Sequence, residues 1–425
     1  LSLASLAAML VEPHWVLPHK NDTEALMPLS GLIIGSSYVW IAVAFLVVAL
    51  RRSSRLSLRW TSATIIVATV LVFAYTFSET LRIRHFLVFE ALRSTSLDGV
   101  FTHPLNATPL VIFLGRPLAS LRLDFASTML VMANMVALYV VVVALLRHLR
   151  LPIDGPLPLA ATAVAVISHP VRDTLMGGHW TLMFLALIVA DVFLPTVRWP
   201  RGLLSGIAVA LGGGWPLLSA VAAFSALKSY RAIGIVLGSC AASFGLGFVV
   251  ARETTLSYLH TLWHWPETIL AALTGSINNT AYAMVARALG GSSTLSWLIM
   301  VVVVLAVAHF AAQRAGDRYV AAAFGLCLPA LVLPYSTATV WVLLLPLVVL
   351  LARWNPIAAA FGAYLLWFEW FPGRLDYIYG GIRGEWWLPP FEVFASAPAL
   401  YLLVLMLLSL GGKIAQPSTG TLAKK

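Results

Sequence analysis

Charged side chains and cysteines are scarce in this 425-residue sequence. Only 10% of the residues are charged, whereas 60% are hydrophobic, and the mean hydropathy is +0.91. This balance excludes a soluble globular protein, in which about a quarter of the residues are charged. Cys240 and Cys327 are the only cysteines, and both lie in apolar stretches. The sequence therefore predicts no disulfide framework.

Metal-ligand spacing and nucleic-acid-binding stripes are missing as well. His260 and His264 are four residues apart in an aromatic loop, but no carboxylate stands at the offset that a metal site requires. The net charge of +10 could suggest a nucleic-acid partner. However, no soluble segment carries a basic stripe with interleaved aromatic residues. We therefore expect neither a metal ion nor a nucleic-acid partner.

Apolar segments repeat along nearly the whole chain and predict an all-α polytopic membrane protein. A helix needs about 20 apolar residues to cross the hydrocarbon core, so the shorter segments must be tilted, kinked or shielded by neighbours. The predicted spans lie near residues 30–50, 61–80, 124–147, 156–169, 178–195, 232–251, 294–312, 319–335, 336–351, 356–371 and 397–411. We expect a bundle of about 11–13 transmembrane helices.

One apolar stretch, residues 203–227, is interrupted in its middle by glycines and a Trp-Pro pair at residues 212–216. Non-helical backbone at membrane depth is tolerated only where protein buries it or where it lines a cavity. The stretch is therefore predicted to form two half-helices beside a groove for a lipid tail. Hydroxyl groups at a nearby outer turn are expected to contribute to the same site, namely those of Tyr335, Ser336, Thr337 and Thr339.

The distribution of Lys and Arg between alternate loops predicts the orientation. One set of loops carries 16 basic residues and three acidic ones, whereas the opposite set carries 11 basic and 14 acidic residues. The first set, together with the C-terminus, is predicted to be cytoplasmic. The other face is then extracytoplasmic, and its long loops 80–123, 252–293 and 371–396 are rich in varied polar groups. We expect the functional site on that face.

The first long outer loop, residues 80–123, has apolar residues at roughly helical spacing among its charges. This pattern predicts amphipathic helices in the outer membrane interface. Arginines close to span ends suit a lipid-linked phosphate, because a guanidinium can give two parallel hydrogen bonds to phosphate oxygens. For any one of them, an anchor to lipid headgroups or a local ion pair, such as Arg172 with Asp173, is the simpler interpretation.

A short polar break, residues 274–280, precedes a predicted helix at 281–289. We expect Ser276 or Asn278 to cap this helix, since their side-chain oxygens can accept bonds from free backbone amides. The alternative is functional: Asn279 contacts a sugar or phosphate at the start of the helix. Arg287 lies at least two turns further along.

Four stretches, in this order along the chain, resemble motifs of glycosyltransferase family 87, which belongs to the GT-C class. They are Phe101-Thr102-His103-Pro104, the run from Pro170 to Trp180, the Gly-rich segment at 202–216, and Ser276–Thr280 with Arg287 and Gly290. The resemblance implies a GT-C-like transmembrane core over residues 61–411. An additional N-terminal part, 1–60, precedes it, and a cytoplasmic tail, 412–425, follows.

The resemblance also implies a function in the plasma membrane. The expected reaction moves mannose or arabinofuranose from a polyprenyl phosphate to a cell-envelope glycolipid or polysaccharide on the extracytoplasmic face. The partners would be membrane lipids, the lipid-linked sugar and the acceptor, with no cofactor. Donor-binding candidates are Arg84, Arg172, His179, Asn278, Asn279 and Arg287, and acceptor-binding candidates are Trp370, Arg374 and Tyr377. Aromatic residues at the third outer loop are also typical of an interfacial belt.

The sequence departs from the family where its members carry an Asp that is taken to be the general base. The best local match places His85 there. A histidine titrates near about 6.5 and could accept the proton of an acceptor hydroxyl at neutral pH. Glu79 is the alternative base.

The departure at His85 leaves a second interpretation open. The chain could be a catalytically silent relative that binds polyprenyl lipid as a partner subunit of another envelope enzyme. A lipid or sugar transporter is a third interpretation, although the spans are nearly free of charge and show no internal repeat.

Overall fold

The structure, a computed structural model, describes residues 108–110, 123–155, 157–166, 168–176, 178–194, 199–260, 280–289, 294–333, 338–367 and 397–410. All regular elements within these ranges are helices. The α-helices are α1 Leu123–His148, α2 Leu157–Val166, α3 His169–Met176, α4 Thr181–Phe193, α5 Leu203–Gly212, α6 Gly214–Ala226, α7 Tyr230–Val250, α8 Ala281–Leu289, α9 Thr294–Arg314, α10 Arg318–Val332, α11 Leu344–Trp354, α12 Pro356–Trp367 and α13 Ala397–Leu410. A 3-10 helix, η1, covers Ala338–Leu343, and residues 252–260 are also helical.

The chain is an all-α polytopic membrane protein, which confirms the predicted fold class. In the described part, α1, α7 and α9 are long and apolar enough to cross a membrane. The other apolar helices found there have 10–17 residues, so they depend on their neighbours for burial. The spans predicted at 30–50 and 61–80, the amphipathic helices expected before Thr108 and the tail after Leu410 lie outside the described residues.

One end of the bundle gathers loops that are rich in Arg and Lys. At this end the His148 ring, which closes α1, lies 4.2 Å from the Tyr319 ring of α10 and 5.3 Å from the Phe193 ring of α4. Arg201 donates to the Val192 carbonyl at 3.2 Å, and the Arg314 guanidinium donates to the last carbonyl of α13 at 3.1 Å. We call this the basic end and the opposite one the loop end.

Helices α5 and α6 form a hairpin that enters and leaves at the basic end. α5 runs beside α7, since Gly202 abuts Ala232 and the Ser243 hydroxyl donates to the Ala210 carbonyl at 2.6 Å. α6 then returns beside α10, because it ends shortly before α7 begins and because its Ser219 hydroxyl donates to the Leu326 carbonyl at 2.8 Å. The predicted pair of half-helices is confirmed. The tip lies about 15 Å along α5 from the basic end.

The hairpin tip forms because the helical hydrogen bonds are replaced by others. Gly213, at the tip, has φ +71°, a conformation that favours glycine. An unbroken helix would use the amides of residues 214 and 215 to satisfy the carbonyls of Ala210 and Leu211. Instead, the Thr108 hydroxyl donates to Ala210 at 2.8 Å and the Thr108 amide donates to Leu211 at 3.1 Å. Thr108, from the first long loop, is thus fixed against the tip.

Candidate functional site

The short helix α3 carries Arg172 and is followed by a turn that carries His179. The turn is a Schellman motif: the Gly178 amide donates to the Leu175 carbonyl at 3.4 Å, and the His179 amide donates to the Thr174 carbonyl at 3.0 Å. Gly178 has φ +65°, which explains the glycine before His179. The structure therefore places Arg172 and His179 on one compact helix-and-turn unit.

Helix α3 packs against η1 and carries the Arg172 side chain. Val171, Thr174 and Leu175 are fully buried and form its inner face. η1 is its main contact, although α2, α4 and α12 also touch it. Arg172 is half-buried, and its Nε atom is buried without a hydrogen-bond partner in the described part of the chain. Thr339, predicted to lie near this site, is buried on η1.

Asp173 forms its close contact with His169, one turn earlier on α3. The His169 Nε2 and Asp173 Oδ2 atoms are 3.5 Å apart. The local ion pair suggested by the sequence, between Arg172 and Asp173, is thus replaced by a contact between His169 and Asp173. The Asp173 side chain is 36% exposed.

The α3–α4 turn lies at membrane depth. Asn134, in the middle of α1, donates from Nδ2 to the His179 carbonyl at 3.0 Å. At the other end of the same two helices, the His148 and Phe193 rings are in contact. α1 and α4 therefore run side by side, and α4 begins level with Asn134. That level is ten residues, or about 15 Å, along α1 from Asp124, the last charged residue before the apolar stretch of that helix.

Three functional candidates at this site were missed by the sequence analysis. Asn134 is fully buried, and its Oδ1 atom has no hydrogen-bond partner among the described residues. The indole N–H groups of Trp180, before α4, and of Trp341, on η1, are likewise buried and unpartnered in the described ranges. A side-chain amide within the apolar span 124–147 was the available signal, since polar residues inside membrane helices often mark functional sites.

Helix α8 carries Arg287 and is capped differently from the prediction. The Thr280 hydroxyl accepts from the Ala283 amide at 3.0 Å, so Thr280 is the N-cap, and the predicted caps Ser276 and Asn278 are wrong. The helix begins immediately after Thr280, and its first residues, Ala281, Tyr282 and Ala283, are buried. α8 packs against α9, α10 and α13. The side chain of Arg287 lies outside the described part.

The remaining predicted site residues lie outside the described residues. They are Glu79, Arg84, His85, Asn278, Asn279, Trp370, Arg374 and Tyr377, together with Tyr335, Ser336 and Thr337. In the described ranges, no group of three or more His, Cys, Asp or Glu side chains is placed to hold a metal ion.

Comparisons with known proteins identify related sequences. Residues 101–334, more than half of the chain, match the sequence model of glycosyltransferase family 87. Two similar proteins, from Mycobacterium tuberculosis and Mycolicibacterium smegmatis, are both named polyprenol-phosphate-mannose-dependent alpha-(1-2)-phosphatidylinositol mannoside mannosyltransferase. Each is 29% identical to this chain, over 279 and 293 residues respectively. The match covers 60% of this chain and 62% of each relative, which is less than two thirds of their length. No solved structure matches the chain.

Proposed function

Since the chain belongs to glycosyltransferase family 87, we propose that it transfers a sugar from a polyprenyl phosphate to a cell-envelope glycolipid or polysaccharide. The transfer takes place on the extracytoplasmic face of the plasma membrane, with the basic end and the C-terminus in the cytoplasm. Mannose is the proposed sugar, because the named relatives depend on polyprenol-phosphate-mannose. Arabinofuranose is the alternative that a donor assay must separate.

The observation that supports this function best is the state of Arg172. Its guanidinium lies on a helix at membrane depth, yet its Nε atom makes no hydrogen bond in the described part. A cationic group at this depth is costly unless an anion joins it. A lipid-linked phosphate is an anion that reaches this depth. Arg84 and Arg287 are proposed to complete the phosphate contacts, with His179, Asn278 and Asn279 near the sugar.

The proposed chemistry is a single displacement. The acceptor hydroxyl oxygen attacks the anomeric carbon, and the bond from that carbon to the phosphate oxygen breaks. The phosphate leaves with the electron pair of the broken bond, and its growing charge is stabilised by the guanidinium groups. The base takes the proton of the acceptor hydroxyl. His85 is the proposed base, and Glu79 is the alternative. Trp370, Arg374 and Tyr377 are proposed to hold the acceptor.

A transfer assay with purified protein tests the proposal. The protein is mixed with membrane lipid extract and with radiolabelled polyprenyl-phosphate mannose or arabinofuranose in parallel reactions. Label should move from the mannose donor to a glycolipid, and the His85→Ala variant should lose that activity. Absence of transfer from either donor to any envelope lipid or polysaccharide would contradict an enzymatic function.

The second candidate is a silent relative that binds polyprenyl lipid as a subunit of another envelope enzyme. Its motivation is His85 in the position where family members carry an Asp. This candidate predicts co-purification with an envelope enzyme and unchanged envelope glycans in cells that carry His85→Ala or Glu79→Ala. Loss of a glycan in either mutant, at normal expression, would exclude it.

A further inference from the structure

We propose that the indole N–H groups of Trp180 and Trp341 join Arg172 to form a hydrogen-bond cradle for a lipid-linked sugar phosphate. In the same proposal, the Oδ1 atom of Asn134 accepts a hydrogen bond from a hydroxyl group of the sugar. The inference rests on the proposed function and assigns to it residues that the sequence motifs did not single out.

In the described part of the chain, several buried polar atoms of one region have no hydrogen-bond partner. Most buried polar groups in folded proteins have a hydrogen-bond partner, so each exception calls for an explanation. Among the described residues, such atoms on α1, α3, η1 and the turn before α4 include Asn134 Oδ1, Arg172 Nε, Trp180 Nε1 and Trp341 Nε1. In a membrane, water is not available to compensate for them. A bound ligand would satisfy these atoms.

The elements that carry these atoms lie close together. η1, with Trp341, packs against both α3 and α4. Trp180 precedes α4 directly, and its neighbour His179 accepts the hydrogen bond from Asn134. Trp341 is 3% exposed and Asn134 is fully buried, so neither points into lipid. The four atoms therefore belong to one packed region at the loop end.

The chemistry of these atoms indicates which kind of ligand they can bind. Three of the four are N–H donors, one of them cationic, and a group that accepts from three donors is an oxyanion. The fourth atom is an acceptor, which requires a hydroxyl or an N–H on the ligand. Asp173 is the acidic side chain on α3, and its close contact is with His169 on the same helix face. A phosphate ester that carries hydroxyl groups matches this set.

The region lies at membrane depth, which limits the ligands that can reach it. The level of Asn134 lies ten residues, or about 15 Å, along α1 from Asp124, the last charged residue before the apolar stretch of that helix. A free sugar phosphate or a nucleotide sugar would have to leave water to reach it. An amphiphile whose phosphate adjoins an apolar chain arrives from the lipid side. Both a polyprenyl-phosphate sugar and a phosphatidylinositol glycolipid have this chemistry, and the experiment below separates them.

The decisive variants are Trp180→Phe and Trp341→Phe, which remove an N–H group and keep an aromatic ring. The matched control is Trp297→Phe, because the Trp297 indole donates to the Val332 carbonyl at 3.0 Å. Binding is measured in detergent with four probes: a short-chain polyprenyl-phosphate mannose, the same polyprenyl phosphate without sugar, phosphatidylinositol and inorganic phosphate. Thermal unfolding is measured for every variant without ligand.

The cradle variants are expected to weaken binding without loss of stability, whereas the control variant is expected to lower stability without weakening binding. Each cradle variant should bind both polyprenyl phosphates about tenfold more weakly, since a hydrogen bond to a charged group is lost. Its unfolding temperature without ligand should stay the same or rise, because an unsatisfied donor has been removed. Trp297→Phe should lower the unfolding temperature and leave the Kd unchanged. Asn134→Leu should weaken binding of the mannose-bearing lipid more than that of the sugar-free lipid.

Other outcomes would overturn the inference. Unchanged Kd values in both Trp→Phe variants would show that the indoles do not contact the ligand. Preference of the wild type for phosphatidylinositol, with the same losses in the variants, would make the site one for the acceptor or a headgroup, not for the donor. Absence of binding to every lipid probe would also refute the cradle. The transfer assay is a separate test: a silent protein with the expected binding losses would refute the enzyme and keep the cradle.

Discussion

Asp191 shows at the scale of one residue how an acidic group is retained in an apolar helix. Its carboxylate, 8% exposed on α4, accepts from the Gly202 amide at 3.0 Å and from the Ser205 amide at 2.9 Å. It therefore satisfies free amides at the start of α5, where a negative charge is favourable.

We expect Asp191→Ala to lower the unfolding free energy by about 1–3 kcal/mol, because two buried amides lose their acceptor. Asp191→Asn keeps one oxygen acceptor and should cost less. The measurement is thermal unfolding in detergent. Asp154→Ala, which changes an exposed carboxylate after α1, is the control and should have no effect. Equal effects at both positions would contradict the capping role.

Single residues of the candidate site could be predicted only where a local sequence motif points to them. Arg172 and His179 stand within one stretch of eight residues, so a resemblance to a local family motif was enough to make them candidates. Trp341 and Asn134 become candidates only because η1, α3, α4 and α1, which are far apart in the sequence, pack together. Local pattern contains no information on such contacts. The sequence offered several polar residues that could cap α8, and the hydrogen bond from the Ala283 amide shows that Thr280 is the cap.

At the scale of helices, glycines decide how closely the α5–α6 hairpin approaches its neighbours. Gly202 has φ +98°, and a Cβ atom there would lie 2.7 Å from the Ala232 carbonyl oxygen of α7. Gly234 and Gly238, on the exposed side of α7, have nothing within 4 Å of an added Cβ. Identical substitutions should therefore have opposite consequences on two neighbouring helices.

Gly202→Ala should destabilise the protein by more than about 1 kcal/mol, because it combines a strained backbone with a clash against backbone atoms. Gly234→Ala and Gly238→Ala should be neutral or stabilising by up to about 1 kcal/mol, since alanine favours the helix. Thermal unfolding of the three variants in one detergent is the measurement. A stable Gly202→Ala variant would show that α5 can separate from α7 without loss.

The helices themselves were largely predictable, since apolar length identifies membrane segments and the Gly-Gly-Gly-Trp-Pro run identified the hairpin break. What the sequence did not predict is how spans are subdivided. The predicted span 336–351 contains η1 and the start of α11, and the predicted span 178–195 begins with the turn that carries Trp180. Both irregular segments lie against α3 or form its continuation. Their conformation follows from packing around the candidate site, not from local propensity.

At the scale of the whole molecule, the contacts bring together loops that the charge pattern had grouped. His148, Phe193 and Tyr319 meet at the basic end. The helix ends and turns there also carry Arg147, Arg201, Arg314 and Arg353. Arg172, Trp180 and Trp341 belong to the loop end. In the proposed function, the loop end carries the chemistry and the basic end sets the orientation in the membrane. If the positive-inside tendency holds, the basic end is cytoplasmic.

Labelling of intact cells tests that orientation. Glu253 follows α7 at the loop end and Asp154 follows α1 at the basic end, and both are exposed. A membrane-impermeant maleimide added to intact cells should label Glu253→Cys and not Asp154→Cys, and opening the cells should expose Asp154→Cys. The wild type provides the background, because Cys327 is buried and Cys240 is half-buried on α7. The reverse pattern would place the Arg172 region on the cytoplasmic face, where the sugar donor would have to be supplied from inside the cell.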